Sequence, residues 1–444
     1  MAPSYSGLVR RPLTAVTRVR IPLGSRKKNP GDRITGIFYT LVWLVTHSRA
    51  QKCAQKRVQN RAQKGKPVGT VSGLGEAAII ASINRAFAPN ASSAGSVNSA
   101  VQGPDEARGR GAVLVGNGDD AAVLAANARL VLTMDTSVEG QDFMQAWPSG
   151  VETSPRLLGF KCAAQNLSDI NAMGGRARFL LMSLSLSKNV AASWPSEFAA
   201  GMRDVCEVLG AEGVELLGGD VSAAEAISIT ITAVGELDSK ARPIVRNAAR
   251  PGDQLYIAGR LPGTSGTALN RLLDSRTQQE PSLEHMPRQH AQPDEDELAR
   301  ALEAHFMPTP PLELGPALAA AGHRIAGIDV SDGLVRDATR IAEASGVDMV
   351  LDEAAIERMA AQLGQAWALQ SAEARHNVLY GGEEFNLLFT VPAGTELPQL
   401  PGVSIVRIGE VTQLNQAGRQ SGIYLEGQRL DENLGFDHYS TDKP

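Results

Sequence analysis

The sequence predicts an α/β or α+β protein of two domains. Three observations lead there. Strand-length runs that are apolar or alternate polar with apolar recur along the chain, and several lead into segments of helical period. The pattern starts afresh at "ARPGDQLYIAG", residues 249–259. Gly and Ala abound while aromatics make up 5% of the 444 residues, which suits packed helix and sheet better than an all-β surface protein. The 43% apolar content can fill real cores at this length.

Taken in order, "GLGEAAIIASINRAF" opens the recognisable fold, with Ala78, Ile79, Ile80 and Ile83 at helical spacing. Residues 88–103, rich in Ser, Ala, Gly and Asn, read as a loop. "RLVLTMDTSVEG" reads as a buried strand ending in polar residues. "SPRLLGFKCAAQNLSDINAMGG" reads as a helix, with Ser154 as N-cap, Pro155 at the first helical position and Gly174 at its end. "FLLMSLSL" is a strand, 196–209 a helix, and "VELLGGD" a strand running into a turn. "AISITITAVGE" alternates, placing Ile227, Ile229 and Ile231 on one face. Beyond 259, residues 273–298 are polar and Pro-bearing, as a surface excursion would be. "RIAGIDV", "FNLLFTV" and "SIVRIGEV" read as strands and "VRDATRIAEASG" as a helix. The domains are therefore expected at 71–240 and 249–444.

Residues 1–70 read differently: fifteen Lys or Arg accompany one acidic residue, with no sustained periodicity. "VRIP" at 19–22 back-translates to a stretch resembling the T-arm of a transfer-RNA gene. This basic extension is expected to be disordered or a mis-assigned start, the true one lying near Val68 or Val71. The remainder carries a clear negative excess, which argues against nucleic acid as partner. No apolar run reaches the roughly 20 residues of a membrane helix; the longest, "IFYTLVWLVT" at 37–46, falls short. Cys53, Cys162 and Cys206 are widely spaced, as in a cytoplasmic protein without disulfides or structural zinc.

Acidic residues keep appearing where strands or helices meet small residues. Asp119 and Asp120 follow Gly-Asn-Gly, Asp135 ends "VLTMD", and Asp169 lies three residues after Asn166 on one helix face. Asp220 follows Gly218 and Gly219, Asp329 and Asp332 flank "VS" in "GIDVSDGL", and Glu383 follows Gly381 and Gly382. Each alone reads as an N-cap or Asx-turn. Were they to converge, the site would demand cations, and hard oxygen ligands select Mg²⁺ or a similar ion. Magnesium bridging carboxylates and a polyphosphate is the usual apparatus of phosphoryl transfer. No Walker A motif, no kinase HRD or DFG set and no HExxH is present.

"GNGDDAAVL", "TMDTSVEGQDF", "NLSDINAMGG", "LLGGD", "GIDVSDGL" and "YGGEEFNLLFTV" resemble, in order and spacing, the thiamine-monophosphate kinase family, over about 71–440 including "GFDHY". Its superfamily includes aminoimidazole ribonucleotide synthetase and selenophosphate synthetase. The resemblance implies the aminoimidazole-ribonucleotide-synthetase-like fold, an N-terminal domain that dimerises plus a C-terminal α/β domain. It implies transfer of the γ-phosphoryl group of ATP to thiamine monophosphate by direct in-line attack, without a phosphoenzyme or a catalytic protein nucleophile. By position, Asp120, Thr133, Asp135, Asp169, Asp220, Asp329 and Asp332 would hold Mg²⁺ ions, with Met134 contributing its carbonyl. Gly219, Asp220, Arg246 and Ser331 would contact ATP near a homodimer interface. Asp142, Glu383 and Phe436 would line the acceptor pocket. Asp142 stands where the family usually has a histidine, and Pro311 where an arginine is common. The alternatives are a superfamily enzyme acting on another phosphate acceptor and a non-catalytic nucleotide-binding relative. Selenophosphate synthetase is disfavoured because no Cys precedes the first Asp-rich motif in a reactive loop.

Overall fold

The computed structural model describes residues 76–87, 112–115, 123–125, 129–274, 295–414 and 420–435. All fall within one compact unit spanning 67–444. The extension 1–70, the loop 88–103, Asp119, Asp120 and Phe436 lie outside the described residues.

Helix α1 (Glu76–Phe87) buries Ile79, Ile83 and Phe87, and a short antiparallel pair follows, β1 (Ala112–Val115) with β2 (Val123–Ala125). Strand β3 (Arg129–Val138) comes next, then helix α2 (Pro155–Ala172), whose cap is the expected one: Leu157 N–H donates to Ser154 Oγ at 3.2 Å. Strand β4 (Arg176–Ser187), helix α3 (Trp194–Val208), β5 (Glu215–Ala224) and β6 (Ser228–Leu237) complete the first half. Its four-stranded sheet has the order β3-β6-β4-β5, antiparallel except for β4 with β5. Ile227, Ile229 and Ile231 are fully buried, as their alternation requires.

Helices α2 and α3 cross closely because glycines face each other's backbone. A Cβ on Gly159 would lie 2.0 Å from the Phe198 carbonyl oxygen, and one on Gly201 1.9 Å from that of Arg156. Neither site accepts a larger residue without moving a helix.

Two expectations need correction here. The "VELLGGD" strand does not turn at its glycines: β5 continues to Ala224, because β4 beside it runs on to Ser187 and offers a full ladder. Strand β3 is not buried on both sides. Thr133 and Asp135 are half-buried against α2, whereas Leu132 and Met134 are 65% and 64% exposed on the other face.

The second half holds β7 (Asp253–Ala258), α4 (Thr264–Leu273), α5 (Glu295–Phe306), α6 (Leu314–Ala320) and β8 (Ala326–Val330). Then come α7 (Leu334–Ser345), β9 (Val347–Leu351), α8 (Glu353–Trp367), α9 (Ser371–Tyr380), β10 (Asn386–Pro392), β11 (Ile405–Gln413), β12 (Ile423–Leu425) and β13 (Gln428–Arg429). They form a seven-stranded sheet of order β13-β12-β9-β11-β7-β10-β8. Most of the expected surface excursion, residues 275–294, lies outside the described residues. Helix α5 begins inside it at Glu295, an acidic first turn hiding the helical spacing of Leu298, Ala301 and His305, all buried. Helix α2 touches β3 and β6 of one sheet and β8 and β10 of the other, so it carries side chains to their junction.

Candidate active site

The junction is built on consecutive turns of α2. Thr133 Oγ1 on β3 donates to Asp169 Oδ2 at 2.6 Å. Asp135, two residues on and therefore on the same strand face, hydrogen-bonds with Asp169 and with Gln165 one helical turn earlier. Its Oδ2 is buried with no hydrogen-bond partner. Burial first, and then the Asp169 charge, push its pKa from 3.8 to about 7. From the other sheet, Asp329 near the end of β8 accepts a hydrogen bond from Ser168 Oγ at 3.1 Å. Burial, then the charges of Asp169 and Asp337, hold its carboxyl well above the ordinary range. Asp169 thus stands between an acid of each sheet, and its charge helps raise the pKa of both.

The loop after β8 is organised by a residue the motif reading missed. Asp337, fully buried in the first turn of α7, accepts the N–H groups of Ser331 and Asp332 on Oδ2, both at 2.9 Å. Its Oδ1 accepts from Arg340 at 2.6 Å, and Arg340 also pairs with Asp332. Burial foremost raises Asp337 to about 6. An acid five residues after "SD", at a helix start, was the available signal; its task is to fold the loop.

That loop is stitched to "GGEEF". Glu383 N–H donates to Ser331 O at 2.7 Å and Phe385 N–H to Val330 O at 2.8 Å. Glu383 and Phe385 both adopt left-handed backbone, φ 59° and 54°, a cost of about 1–3 kcal/mol each that clusters at functional loops. The Glu383 carboxylate meets Lys161 Nζ at 2.6 Å, with His305 Nε2 at 3.3 Å. Neither partner was singled out from the sequence, because a lone Lys inside an apolar helix and a lone His carry no motif.

Other sequence-predicted residues lie apart from this cluster within one chain. Across the sheet, Asp135 is level with Ile231, Met182 and Gly219, while Asp220 is level with Ser183, Thr230 and Thr136. Asp220 therefore projects from the opposite, exposed face, with the side chain of Met134. Arg246 is exposed in a 3₁₀ turn, Arg246–Ala248, where its carbonyl accepts from Ser345 Oγ at 2.9 Å. That is the far end of α7 from Asp332, about 18 Å away along a helix of 12 residues. The Asp142 carboxylate accepts the Val138 N–H at 2.7 Å, closing the turn after β3.

Among the described residues, no three His, Cys, Asp or Glu side chains converge closely enough to hold a metal unaided. An ion at Asp135 and Asp169 would need further oxygens, such as those of a phosphate, to complete its shell.

The comparisons with known proteins agree with this architecture. The AIR synthase related protein N-terminal domain matches residues 118–237, and the corresponding C-terminal domain matches 250–419. The chain is 32% identical to thiamine-monophosphate kinase of Haemophilus influenzae over 337 residues, covering 73% of this chain and 92% of that one. With the Aquifex aeolicus enzyme it shares 28% identity over 325 residues, covering 72% and 92%. A structure of AaThiL complexed with AMPPCP and TMP superposes with a TM-score of 0.54 at 27% identity, over 70% of this chain and 89% of that one. The Stenotrophomonas maltophilia thiamine-monophosphate kinase gives 0.55 at 29% identity, over 72% and 92%. With two such domains in sequence, the acids gathered where their sheets meet, and relatives matched over nine-tenths of their length, this chain belongs to the thiamine-monophosphate kinase family of AIR synthase related proteins.

Proposed function

We propose that the chain phosphorylates thiamine monophosphate with ATP, giving thiamine diphosphate and ADP. A phosphate oxygen of the acceptor attacks the γ-phosphorus in line; the bond from that phosphorus to the β,γ-bridging oxygen breaks, and ADP leaves with the electron pair. The observation that carries this reading is the Asp135–Asp169–Asp329 cluster, two of whose carboxyls are held unusually basic. Hard oxygens of this kind, including the unpartnered Oδ2 of Asp135, suit magnesium once phosphate oxygens complete its shell. Bound there, magnesium supplies charge neutralisation and orientation for the polyphosphate.

The residues divide the work. Thr133, Asp135, Asp169, Asp329 and Asp332, with the Met134 carbonyl and Asp120, are the proposed metal ligands. Ser331, in the loop folded by Asp337, and Gly219, Asp220 and Arg246 are the proposed ATP contacts. Glu383, Asp142 and Phe436 are the proposed acceptor contacts. No side chain need act as nucleophile, so positioning and charge stabilisation suffice.

The exposed sheet face bears Leu130, Leu132, Met134 and Leu181 beside Asp220, an apolar patch such as a monomer seldom leaves open. We read it as the face that a second copy covers, forming a homodimer with Asp220 and Gly219 at the seam. No described helix is long and apolar enough to cross a membrane; with buried, unpaired Cys162 and Cys206, a cytoplasmic location is the reading we adopt.

The test is to incubate the full chain with ATP, Mg²⁺ and thiamine monophosphate and to follow thiamine diphosphate by chromatography. Product that disappears in Asp135→Asn is the expected result. Magnesium-dependent ATP binding without product would move the assignment to another phosphate acceptor.

A further inference from the structure

Two turns before Asp169 on α2, Lys161 carries a buried cation that the phosphoryl transfer above does not use. Its side chain is 5% exposed. Nζ lies 2.6 Å from Glu383 Oε1 and 2.8 Å from His305 Nε2, and 5.1 Å from the centre of the Phe306 ring. His305 is itself fully buried, edge-on to Trp147, with Nδ1 3.1 Å from Ser265 Oγ. Burial, then the charges of Lys161 and Arg260, keep its pKa well below 6.5, so the ring is neutral. Its Nε2 accepts from Lys161, which leaves the proton on Nδ1, facing Ser265.

The adjacent carboxylate shows what a purely structural ion pair looks like in this fold. Glu384 is 1% exposed, pairs with Arg260 at 2.9 Å and accepts the Ser265 N–H at 2.6 Å. Glu383 differs in two respects. Its backbone is left-handed, and its side chain stays 30% exposed although its partner is buried. Burying an ammonium costs several kcal/mol unless it is well paired, and the strained glutamate adds its own cost. Both fall on one contact, whose carboxylate keeps an open edge.

We propose that Lys161, backed by His305, is a positioning residue that fixes the Glu383 carboxylate to accept a hydrogen bond from an amino group on the heterocycle of the acceptor substrate. The proposal deepens the reading of Glu383 as an acceptor contact and rests on it. Lys161 and Asp169 are eight residues apart on α2, about 12 Å of helix, so heterocycle and phosphate would be gripped from two points of one rigid element.

The experiment is a cycle of Lys161→Met, Glu383→Gln and the double variant in the full chain, with KM measured separately for each substrate. Lys161→Met is expected to raise KM for thiamine monophosphate about tenfold or more and to leave that for ATP within about twofold, whereas the double variant is no worse than Glu383→Gln alone. Equal effects on both substrates, an unchanged KM, or additive effects in the double variant overturn the proposal. Should Lys161→Met fail to fold, His305→Gln carries the same test, with a smaller shift in the same substrate; a shift shared with ATP, or none, refutes it. Calorimetry of thiamine monophosphate binding without ATP separates this proposal from the reaction. Wild-type chain that binds but makes no product refutes the kinase reading while K161M still decides the anchor. Wild-type chain that does not bind overturns both.

Discussion

Replacing Asp135 with Asn is expected to destroy activity and yet make the metal-free protein more stable. The folded chain holds the Asp135 proton up to about pH 7, against an ordinary 3.8. That difference is about three pH units, each worth about 1.4 kcal/mol, so the ceiling is about 4 kcal/mol. Partial exposure and the sharing of the effect with Asp169 reduce the gain from neutralising this one carboxylate to about 1–3 kcal/mol. The sign follows from proton affinity. Between 3.8 and about 7 the folded state binds more protons than the unfolded one, so wild-type stability falls as pH rises through that window and levels off above it. Asn does not titrate and escapes the loss. Urea unfolding in EDTA should therefore show the variant ahead at pH 8 and the gap narrowing towards pH 4. Adding Mg²⁺ and ATP should raise the wild-type midpoint and leave the variant's nearly unmoved, since a ligand stabilises only the state that binds it. A variant less stable than wild type at pH 8, or a gap independent of pH, would refute the reasoning.

Three further changes test other parts of the architecture. Asp337→Ala strands the part-buried N–H groups of Ser331 and Asp332 and should cost about 1–3 kcal/mol in urea unfolding, with a higher magnesium requirement for turnover; unchanged magnesium dependence would argue against its role in folding the loop. In Gly219→Ala the new Cβ would lie 1.7 Å from the Met182 carbonyl oxygen, so β5 must shift, at about 2 kcal/mol or more; a neutral effect on the unfolding midpoint would mean the sheet edge yields freely. Met134→Asp places a charge on the exposed apolar face and should give a monomer by light scattering with the fold intact by circular dichroism. A dimer unaffected by it lies elsewhere.

Much of this protein was legible in the sequence where the physics is local. The Ser154 cap, the Pro155 start and the alternation of Ile227, Ile229 and Ile231 depend on neighbours within a few residues, and each stands as read. The acids at Asp135, Asp169 and Asp329 could be picked out because several strand and helix ends carried the same residue type. Their meeting could not, since it depends on α2 reaching both sheets at once. Asp337 and Lys161 escaped notice for a related reason: one folds a loop through backbone N–H groups and the other pairs with a residue 222 positions away, and neither act leaves a spacing in the chain. Tertiary structure alone also decided which side of the sheet each candidate faces. One residue's difference in strand parity puts Asp135 against α2 and Thr136 in the row of Asp220 on the exposed face. The sequence by itself determined which residue types could carry the chemistry. Only the packing of two sheets around one helix determined which of them stand together, because burial and mutual repulsion arise between segments that are distant along the chain.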